Sequence, residues 1–242
     1  LCAPSSEDVI PTIRSRCREL RLVSPTDAAV TELLINRDGV GPALAGEVAR
    51  IAQGHVGKAR GLARDPAERE ARQALLSVPQ RLTSVGACLQ IAADIVSKAE
   101  AVVKAEVAAL NARERAETEL LYTAAKDGVK SREAQTALKR LDEEQKAREK
   151  RLRRDRLDAA LTELITWYRD MLAVQLGAAK PDTAVDIINL PARADITTAA
   201  ARTTPERTIR CLDAILQARR ALDTNVSPLL AFEAMMLTLG GQ

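Results

Sequence analysis

The stretch "GACLQIAADIVSKAEAVVKAEVAALNARERAETELLYTAAK", residues 86–126, decides the fold. It contains no proline, it has no glycine between Gly86 and Gly128, and it is rich in alanine, which favours helix. Its main apolar positions are Ile95, Val102, Leu110 and Leu121. About 40 residues at a rise of about 1.5 Å each predict a helical rod of about 60 Å.

The residues that follow predict a second long helix that returns along the first. "DGVKS", residues 127–131, turns the chain, and residues 132–178 contain no further breaker until Gly177. Within "DEEQKAREKR", residues 142–151, only Ala147 is apolar, so this part is expected to lie in solvent or to contact a partner. A buried stripe resumes at helical spacing at Leu157, Leu161, Leu164 and Tyr168.

Shorter helices precede and follow this hairpin. Ser24 is the expected N-cap and Pro25 the first residue of a helix, and three short helices over residues 24–65 form a small bundle. The second of these is expected to bury Leu44, Val48 and Ile51. Pro66 begins a connecting helix. Thr204-Pro205 and Ser227-Pro228 begin the last two helices, and the inner face of the first of these is expected to hold Ile209, Leu212, Ile215, Leu216 and Leu222.

The start of the chain has a different pattern. "RELRLV", residues 18–23, alternates between apolar and charged residues, which is typical of a strand. A strand needs partners, so we expect residues 1–23 to be the end of a larger α/β domain whose remainder precedes Leu1. The predicted class is therefore mainly α, in four parts: the end of an α/β domain (1–23), a helical lid (24–65), a connector (66–85), and a helical domain (86–242) with a long hairpin over about 97–156.

Composition limits the chemistry of the chain. Aromatic residues make up 2% and apolar residues 46%, so the core consists mostly of Ala, Leu, Ile and Val. One histidine, His55, leaves little scope for histidine acid–base catalysis or zinc binding. No GxxxxGK[ST] loop is present, and "GHVGKARG", residues 54–61, has no strand before it. We therefore expect no catalytic activity from this chain alone.

Charge and cysteine content predict a cytoplasmic protein. Lys and Arg number 36 against 33 Asp and Glu, and this net charge of +3 does not by itself indicate a nucleic-acid partner. No apolar run is long enough for a membrane span, and no signal peptide is recognisable. Without any CxxC pair, the cysteines are expected to be buried, reduced thiols. They are Cys2, Cys17, Cys88 and Cys211.

A basic cluster in the second long helix is one candidate binding surface. Its acidic neighbours, and the lack of aromatic residues for base stacking, favour a solvated or partner-facing helix over DNA binding, which stays an alternative. The cations are Lys146, Arg148, Lys150, Arg151, Arg153, Arg154 and Arg156, and the acids are Glu143, Glu144, Glu149 and Asp155.

Arg16, in "PTIRSRCREL", is the second candidate. An arginine in a turn is often merely solvated. Its permanently charged guanidinium nevertheless forks two donors toward phosphate oxygens. Held at a subunit boundary, it could stabilise the charge that develops on a γ-phosphate bound by a neighbouring subunit.

Three segments, in this order, resemble the AAA+ clamp-loader family. "APSSEDVIPTIRSRCRELRLVSPT", residues 3–26, resembles the segment from sensor 1 to the Ser-Arg-Cys motif. "IAQGHVGKARGLARD", residues 51–65, resembles the lid at its sensor-2 helix. "LDAILQARRALDTNVSPLLAFEAMMLTL", residues 212–239, is similar to the closing helices of the collar domain. Together they extend over most of the chain outside the long hairpin, which exceeds the usual collar helices.

The resemblance implies a subunit that does not hydrolyse ATP. ATP-hydrolysing members carry threonine near sensor 1, where this chain has "CAPS", residues 2–5. They also carry a sensor-2 arginine where this chain has Gly57, with Lys58 and Arg60 out of register. Arg16 would then act as an arginine finger in trans, with its direction set by Ser15 and Cys17.

The resemblance also implies partners. They are the tau/gamma and delta subunits of a bacterial DNA polymerase III clamp loader and, through that complex, the sliding clamp and primed DNA of the replisome. ATP would be bound by neighbouring subunits, and no cofactor or metal by this chain. A helical interaction scaffold, or an ATPase whose phosphate-binding loop precedes this sequence, are the alternatives. The implied collar interface comprises Leu212, Leu216, Arg219, Arg220, Leu222 and Asn225.

Overall fold

A computed structural model describes residues 3, 6–20, 22–123, 132–178, 187–224 and 226–241. Over these residues the chain is mainly α-helical, as predicted, and contains no strand. The chain divides into two compact units, Leu1–Glu68 and Arg69–Gln242. The strand predicted at residues 18–23 is wrong for the described positions of that segment, because no second strand in the described chain supplies hydrogen-bonding partners.

The first unit is a small helical bundle. After a 3₁₀ turn at Ser6–Asp8, its helices are α1 (Pro11–Arg14), α2 (Asp27–Asp38), α3 (Pro42–Ala52) and α4 (Val56–Arg64). Val48 and Ile51 are buried, as predicted, and Leu44 is half-buried. Among the described residues of this unit, the buried core cluster is Val30, Leu34, Ala45, Val48, Ala49, Ile51, Ala52, Ala59 and Leu62.

Helix α2 begins two residues later than the sequence predicts. Its N-cap is Thr26, whose Oγ1 accepts a hydrogen bond from the Ala29 amide at 3.2 Å. Pro25 stays outside the helix, where its carbonyl oxygen approaches Gly54; a Cβ at position 54 would lie only 2.8 Å from that oxygen. Gly54 also has a φ of 83°, so glycine is required there for two separate reasons.

The second unit is built around the two long helices. Helix α5 (Pro66–Leu76) begins at Pro66, as predicted, and crosses the boundary between the units. The helices that follow are α6 (Val78–Arg81), α7 (Val85–Thr123), α8 (Arg132–Gln175), α9 (Arg193–Ala201), α10 (Pro205–Leu222) and α11 (Pro228–Gly240). A 3₁₀ turn at Leu190–Ala192 lies between α8 and α9. Helix α8 packs against α7, α9 and α10, and α11 packs against α7 and α10.

Helices α7 and α8 form the predicted hairpin. Cross-helix ion pairs join Glu100 to Arg153 and Arg115 to Asp142, so residues later in α7 meet residues earlier in α8. The two helices are therefore antiparallel, while the turn at residues 127–131 lies outside the described residues. The predicted stripe on α8 is confirmed, since the side chains of Leu157, Leu161, Leu164 and Tyr168 are all buried.

The apolar face of α7 differs from the main apolar positions of its sequence. Val103 and Val107 are buried, whereas Val102, Leu110 and Leu121 are exposed. The described part of the predicted hairpin, residues 97–123 and 132–156, is called the arm below. Its buried apolar residues are few, and they are Val103, Val107 and Ala134.

A buried polar network joins α5, α8 and the segment before the second 3₁₀ turn. The Arg72 guanidinium donates to Glu163 Oε2 at 2.8 Å and also to Asn189 Oδ1. The Asn189 side-chain amide donates to Asp170 Oδ2 at 2.9 Å and to Thr166 Oγ1 at 3.2 Å. The fully buried Asp170 carboxylate also accepts the backbone amides of Ile188 and Asn189 and a hydrogen bond from Arg169.

Removing Arg72 should therefore destabilise the second unit strongly. Arg72→Ala removes the buried guanidinium that donates to Glu163 and Asn189, and breaking a buried ion pair by removing one partner costs about 3–5 kcal/mol in the free energy of unfolding. Chemical denaturation of the whole chain measures this loss. Arg81→Ala, which removes an exposed arginine from α6, is the control and should change stability by less than about 0.5 kcal/mol. Equal stability of the two variants would show that the network contributes little.

Candidate functional site

Arg16 lies in the turn that follows α1. Its amide donates to the Ile13 carbonyl at 3.0 Å, and the Ser15 hydroxyl donates to the Thr12 carbonyl at 3.3 Å. Ser15, Arg16 and Cys17 are all exposed. Within the described part of the chain, no ion pair engages the Arg16 guanidinium.

The Arg16 side chain is thus available to a group outside this chain. Arg14 and Arg18, on either side of it, are exposed as well, so the turn presents three guanidinium groups within five residues. Such a turn attracts anions, and a guanidinium matches the geometry of two phosphate oxygens. The hydrogen bond of Ser15 orders the turn locally, while the exposed Cys17 thiol does not pack into a core.

The position of α4 that is expected to match sensor 2 holds a glycine and not an arginine. Gly57 lies in the first turn of α4, and His55 caps this helix, its Nδ1 accepting a hydrogen bond from the Lys58 amide at 3.0 Å. The Arg60 side chain donates to Asp38 Oδ2 at 2.7 Å. This hydrogen bond lowers the pKa of the Asp38 carboxyl, and Arg64 contributes in the same direction. Arg60 therefore joins α4 to α2.

The predicted inner face of α10 is only partly correct. Ile215 is fully buried, as predicted, but Leu216 is 38% exposed and Ile209 is also exposed. The buried face is instead formed by Thr208, Cys211, Ile215 and Ala218. Thr208 is tolerated in the core because its hydroxyl donates to Gln175 Oε1 at 2.8 Å.

The residues of the implied collar interface have different environments. Leu216 and Arg220 are exposed, and Leu212 and Leu222 are half-buried. Arg219 is engaged within the chain, since it donates to Asp158 Oδ1 at 2.6 Å and to Thr162 Oγ1 at 2.5 Å, which joins α10 to α8. Asn225 lies outside the described residues.

Two surface depressions adjoin this face of α10. A charged one of about 540 Å³ lies between α8 and α10 and is lined by Arg154, Asp155, Asp158, Arg219, Leu222 and Asp223. A mostly apolar groove of about 290 Å³ lies between α10 and α11, and its lining includes Ala221, Val226, Leu230 and Met235. Leu230 is well exposed at the rim of this groove.

The arm is held together by charge. Arg148 donates to both carboxylate oxygens of Glu114, at 2.9 and 2.6 Å, and Gln145 donates to Glu114 Oε2 at 3.1 Å. These hydrogen bonds, that of Arg148 above all, lower the pKa of the Glu114 carboxyl. Asn111 bridges to Glu149 at 2.9 Å. On one side this segment contacts α7, through Gln145, Arg148 and Glu149, and on the other side Glu143, Lys146 and Lys150 are exposed to solvent.

The cysteines offer little reactive chemistry. Cys88 and Cys211 are buried, as predicted, and burial raises the pKa of both thiols. Burial also raises the pKa of Tyr168, whose side chain is hydrogen-bonded to Cys211. Cys17 is exposed, contrary to the prediction, because its turn packs against no core, and Cys2 lies outside the described residues.

Comparisons of the chain with protein-family models, with curated proteins and with solved structures find no match. None of the helices that the structure describes is both long and apolar enough to cross a membrane.

Sequence reasoning missed the cross-helix partners of the arm. Arg148 and Glu114 are 34 positions apart, and neither carries a local motif. The available signal is the register of the hairpin, because aligning two antiparallel helices about their turn places opposite charges side by side. The position of the turn sets that register, so the turn must be placed correctly before the cross-helix pairs can be predicted.

Acidification should loosen the arm through Glu114. A carboxyl whose pKa is lowered by folding contributes stability at pH values above its unfolded pKa of about 4.3, and the contribution is lost as pH falls through the folded pKa. We expect Glu114→Gln to lower the thermal midpoint at pH 7 and to flatten its decline between pH 5 and 3, as followed by circular dichroism. Glu117→Gln, which removes an exposed carboxylate from the same helix, should keep the steepness of the unmodified chain. An equally steep decline in Glu114→Gln would contradict this role of the pair.

Proposed function

We propose that this chain is a delta-prime-type subunit of a bacterial DNA polymerase III clamp loader, one that does not hydrolyse ATP itself. Its part in DNA replication would be to help load the sliding clamp onto primed DNA, in the cytoplasm, within a ring that also contains tau/gamma and delta subunits. Arg16 would complete the ATP site of a neighbouring tau/gamma subunit. The observation that carries the proposal is an exposed guanidinium within Ser15-Arg16-Cys17 that forms no ion pair with the described residues. Two further segments of the chain resemble the same family in the same order.

The environment of Arg16 supports this role on physical grounds. An arginine finger acts on a phosphate that its own chain does not bind, so it must not be neutralised by a carboxylate of that chain. Arg16 meets this requirement with respect to the described residues. Arg60 and Arg219, by contrast, are both committed to carboxylates of their own units.

The lid and α10 support the proposal in different ways. Gly57 in the lid helix supplies no cation for a nucleotide bound by this chain, which agrees with a subunit that does not hydrolyse ATP. Leu216 and Ile209 expose apolar surface on one helix. Because apolar side chains gain free energy when they are buried, this face is suited to contact the collar helices of another subunit.

Substitution of Arg16 tests the finger. Arg16→Ala should leave helicity and complex assembly unchanged but sharply reduce DNA-stimulated ATP hydrolysis in a loader reconstituted with tau/gamma and delta. Such fingers contribute about 10³–10⁵ in rate at the site they complete. Turnover is measured by phosphate release with the clamp and primed DNA present.

Arg18→Ala is the matched control, because it removes the same charge from an exposed position two residues away. It should retain nearly full turnover. If Arg16→Ala retains it as well, the finger assignment is wrong. If the unmodified chain does not assemble with tau/gamma and delta, the proposed function is wrong and the scaffold alternative is favoured.

A pair of adjacent residues on α10 tests the collar contact. Leu216→Glu should leave the stability of the isolated chain within about 1 kcal/mol of the original, because Leu216 is exposed there, but it should weaken assembly of the ring. Ile215→Glu should destabilise the isolated chain by more than about 3 kcal/mol, because it places a charge in the core. Denaturation of the chain and size-exclusion chromatography of the ring separate the two effects. Normal assembly by Leu216→Glu would remove this face from the interface.

A further inference from the structure

The outward side of α8 in the arm is more cationic than its sequence suggests. Residues 132–156 contain ten Lys and Arg against six Asp and Glu. Four of these acids are engaged by neighbouring groups: Asp142 by Arg115 at 2.9 Å, Glu144 by Arg140 at 3.0 Å, Glu149 by Asn111 at 2.9 Å and Asp155 by Arg154 at 3.6 Å. Of the acids that flank the cluster in the sequence, Glu144, Glu149 and Asp155 are therefore already paired or hydrogen-bonded along the arm, and Glu143 stays exposed.

Several cations remain unengaged on the same helix. Lys139, Lys146, Lys150 and Arg151 are exposed, and no ion pair joins them to the described residues. Lys139, Lys146 and Lys150 are spaced i, i+7 and i+11, so they lie along one face over about 16 Å of helix axis. Glu143 is the acid on this face, and it forms no ion pair with either neighbouring lysine in the described structure.

The chemistry of the face formed by Lys139, Lys146 and Lys150, called the lysine face below, matches a phosphate backbone better than a protein. Protein interfaces depend on a few buried aromatic, arginine or apolar anchors, and here the exposed apolar residue is only Ala147. Each DNA strand carries one charge per about 3.4 Å of axis, so a row of about 16 Å meets several phosphates. No aromatic residue occurs within residues 132–156, which leaves no platform on which unpaired bases could stack.

We propose that the lysine face, Lys139, Lys146 and Lys150 on α8, binds the phosphate backbone of duplex DNA without reading its sequence. Lysine ammonium groups contact phosphates as point charges, and binding releases the counterions condensed on the duplex. The contact goes beyond the proposed function and does not depend on it, because it requires neither ATP nor another subunit.

Fluorescence anisotropy of a labelled 30-base-pair duplex, titrated with the whole chain between 50 and 200 mM salt, tests this binding. Lys146→Ala/Lys150→Ala should weaken binding by about tenfold or more at 50 mM salt. It should also reduce the slope of log K against log salt by about 2, since each phosphate contact contributes about 0.9 to that slope. Circular dichroism verifies that the helical content is unchanged.

Lys98→Ala/Lys104→Ala is the matched control, because it removes the same charge from exposed positions of α7. It should bind within about twofold of the unmodified chain. Equal losses in both variants, an unchanged salt slope, or tighter binding to a single strand than to the duplex of the same length would each overturn the proposal. A chain that binds duplex through the lysine face but fails to support ATP hydrolysis by tau/gamma would refute only the proposed function.

Discussion

The second unit contains a buried polar network that is centred on Arg72. Arg72 reaches from α5 into the space between α8 and the segment at residues 187–189, where it meets Glu163 and Asn189. An unpaired charge in such a place would be expensive, and the cost is avoided because each polar group has a partner in the same network. Alternative packings of an alanine- and leucine-rich core differ little in apolar area. The buried network, in contrast, has all its hydrogen bonds only when these segments are arranged as they are here. It therefore favours this packing over the alternatives more strongly than apolar contacts do.

The long helices continue beyond the large core cluster of the second unit into the arm, where few apolar residues are buried. Toward the base of the hairpin, Leu157 and Leu161 pack into a continuous core, whereas in the arm the cross-helix contacts are mainly ion pairs and amide hydrogen bonds. Exposed ion pairs contribute little each, so the arm is expected to be the less stable part of the hairpin and the part most sensitive to salt and acid. The same arrangement engages acids of α8 such as Asp142 and Glu149 within the arm and leaves the outward lysines without an ion pair to the described residues, so the stability and the surface chemistry of the arm have a common origin.

The sequence predicts the helical class, the hairpin and the stripe from Leu157 to Tyr168, because long uninterrupted periodicity is a strong local signal. The sequence is a weaker guide where a small rotation of a helix about its axis decides which residues face the core. On α10, Thr208 and Ala218 face the core while Leu216 does not, since a small residue permits close helix packing and a threonine can be satisfied by Gln175. Hydropathy alone would place Leu216 in the core ahead of Thr208 and Ala218. The role of Arg72 could not be predicted either, because its partners lie 91 and 117 positions away.

The described arginines of this chain differ in whether a carboxylate of the chain pairs with them. Arg60, Arg72, Arg148 and Arg219 each contact a carboxylate of the chain and act within its units. Arg14, Arg16 and Arg18 are exposed on one short turn, where the described residues provide no carboxylate to pair with them. An exposed guanidinium of this kind can contact an anion that another molecule brings to it.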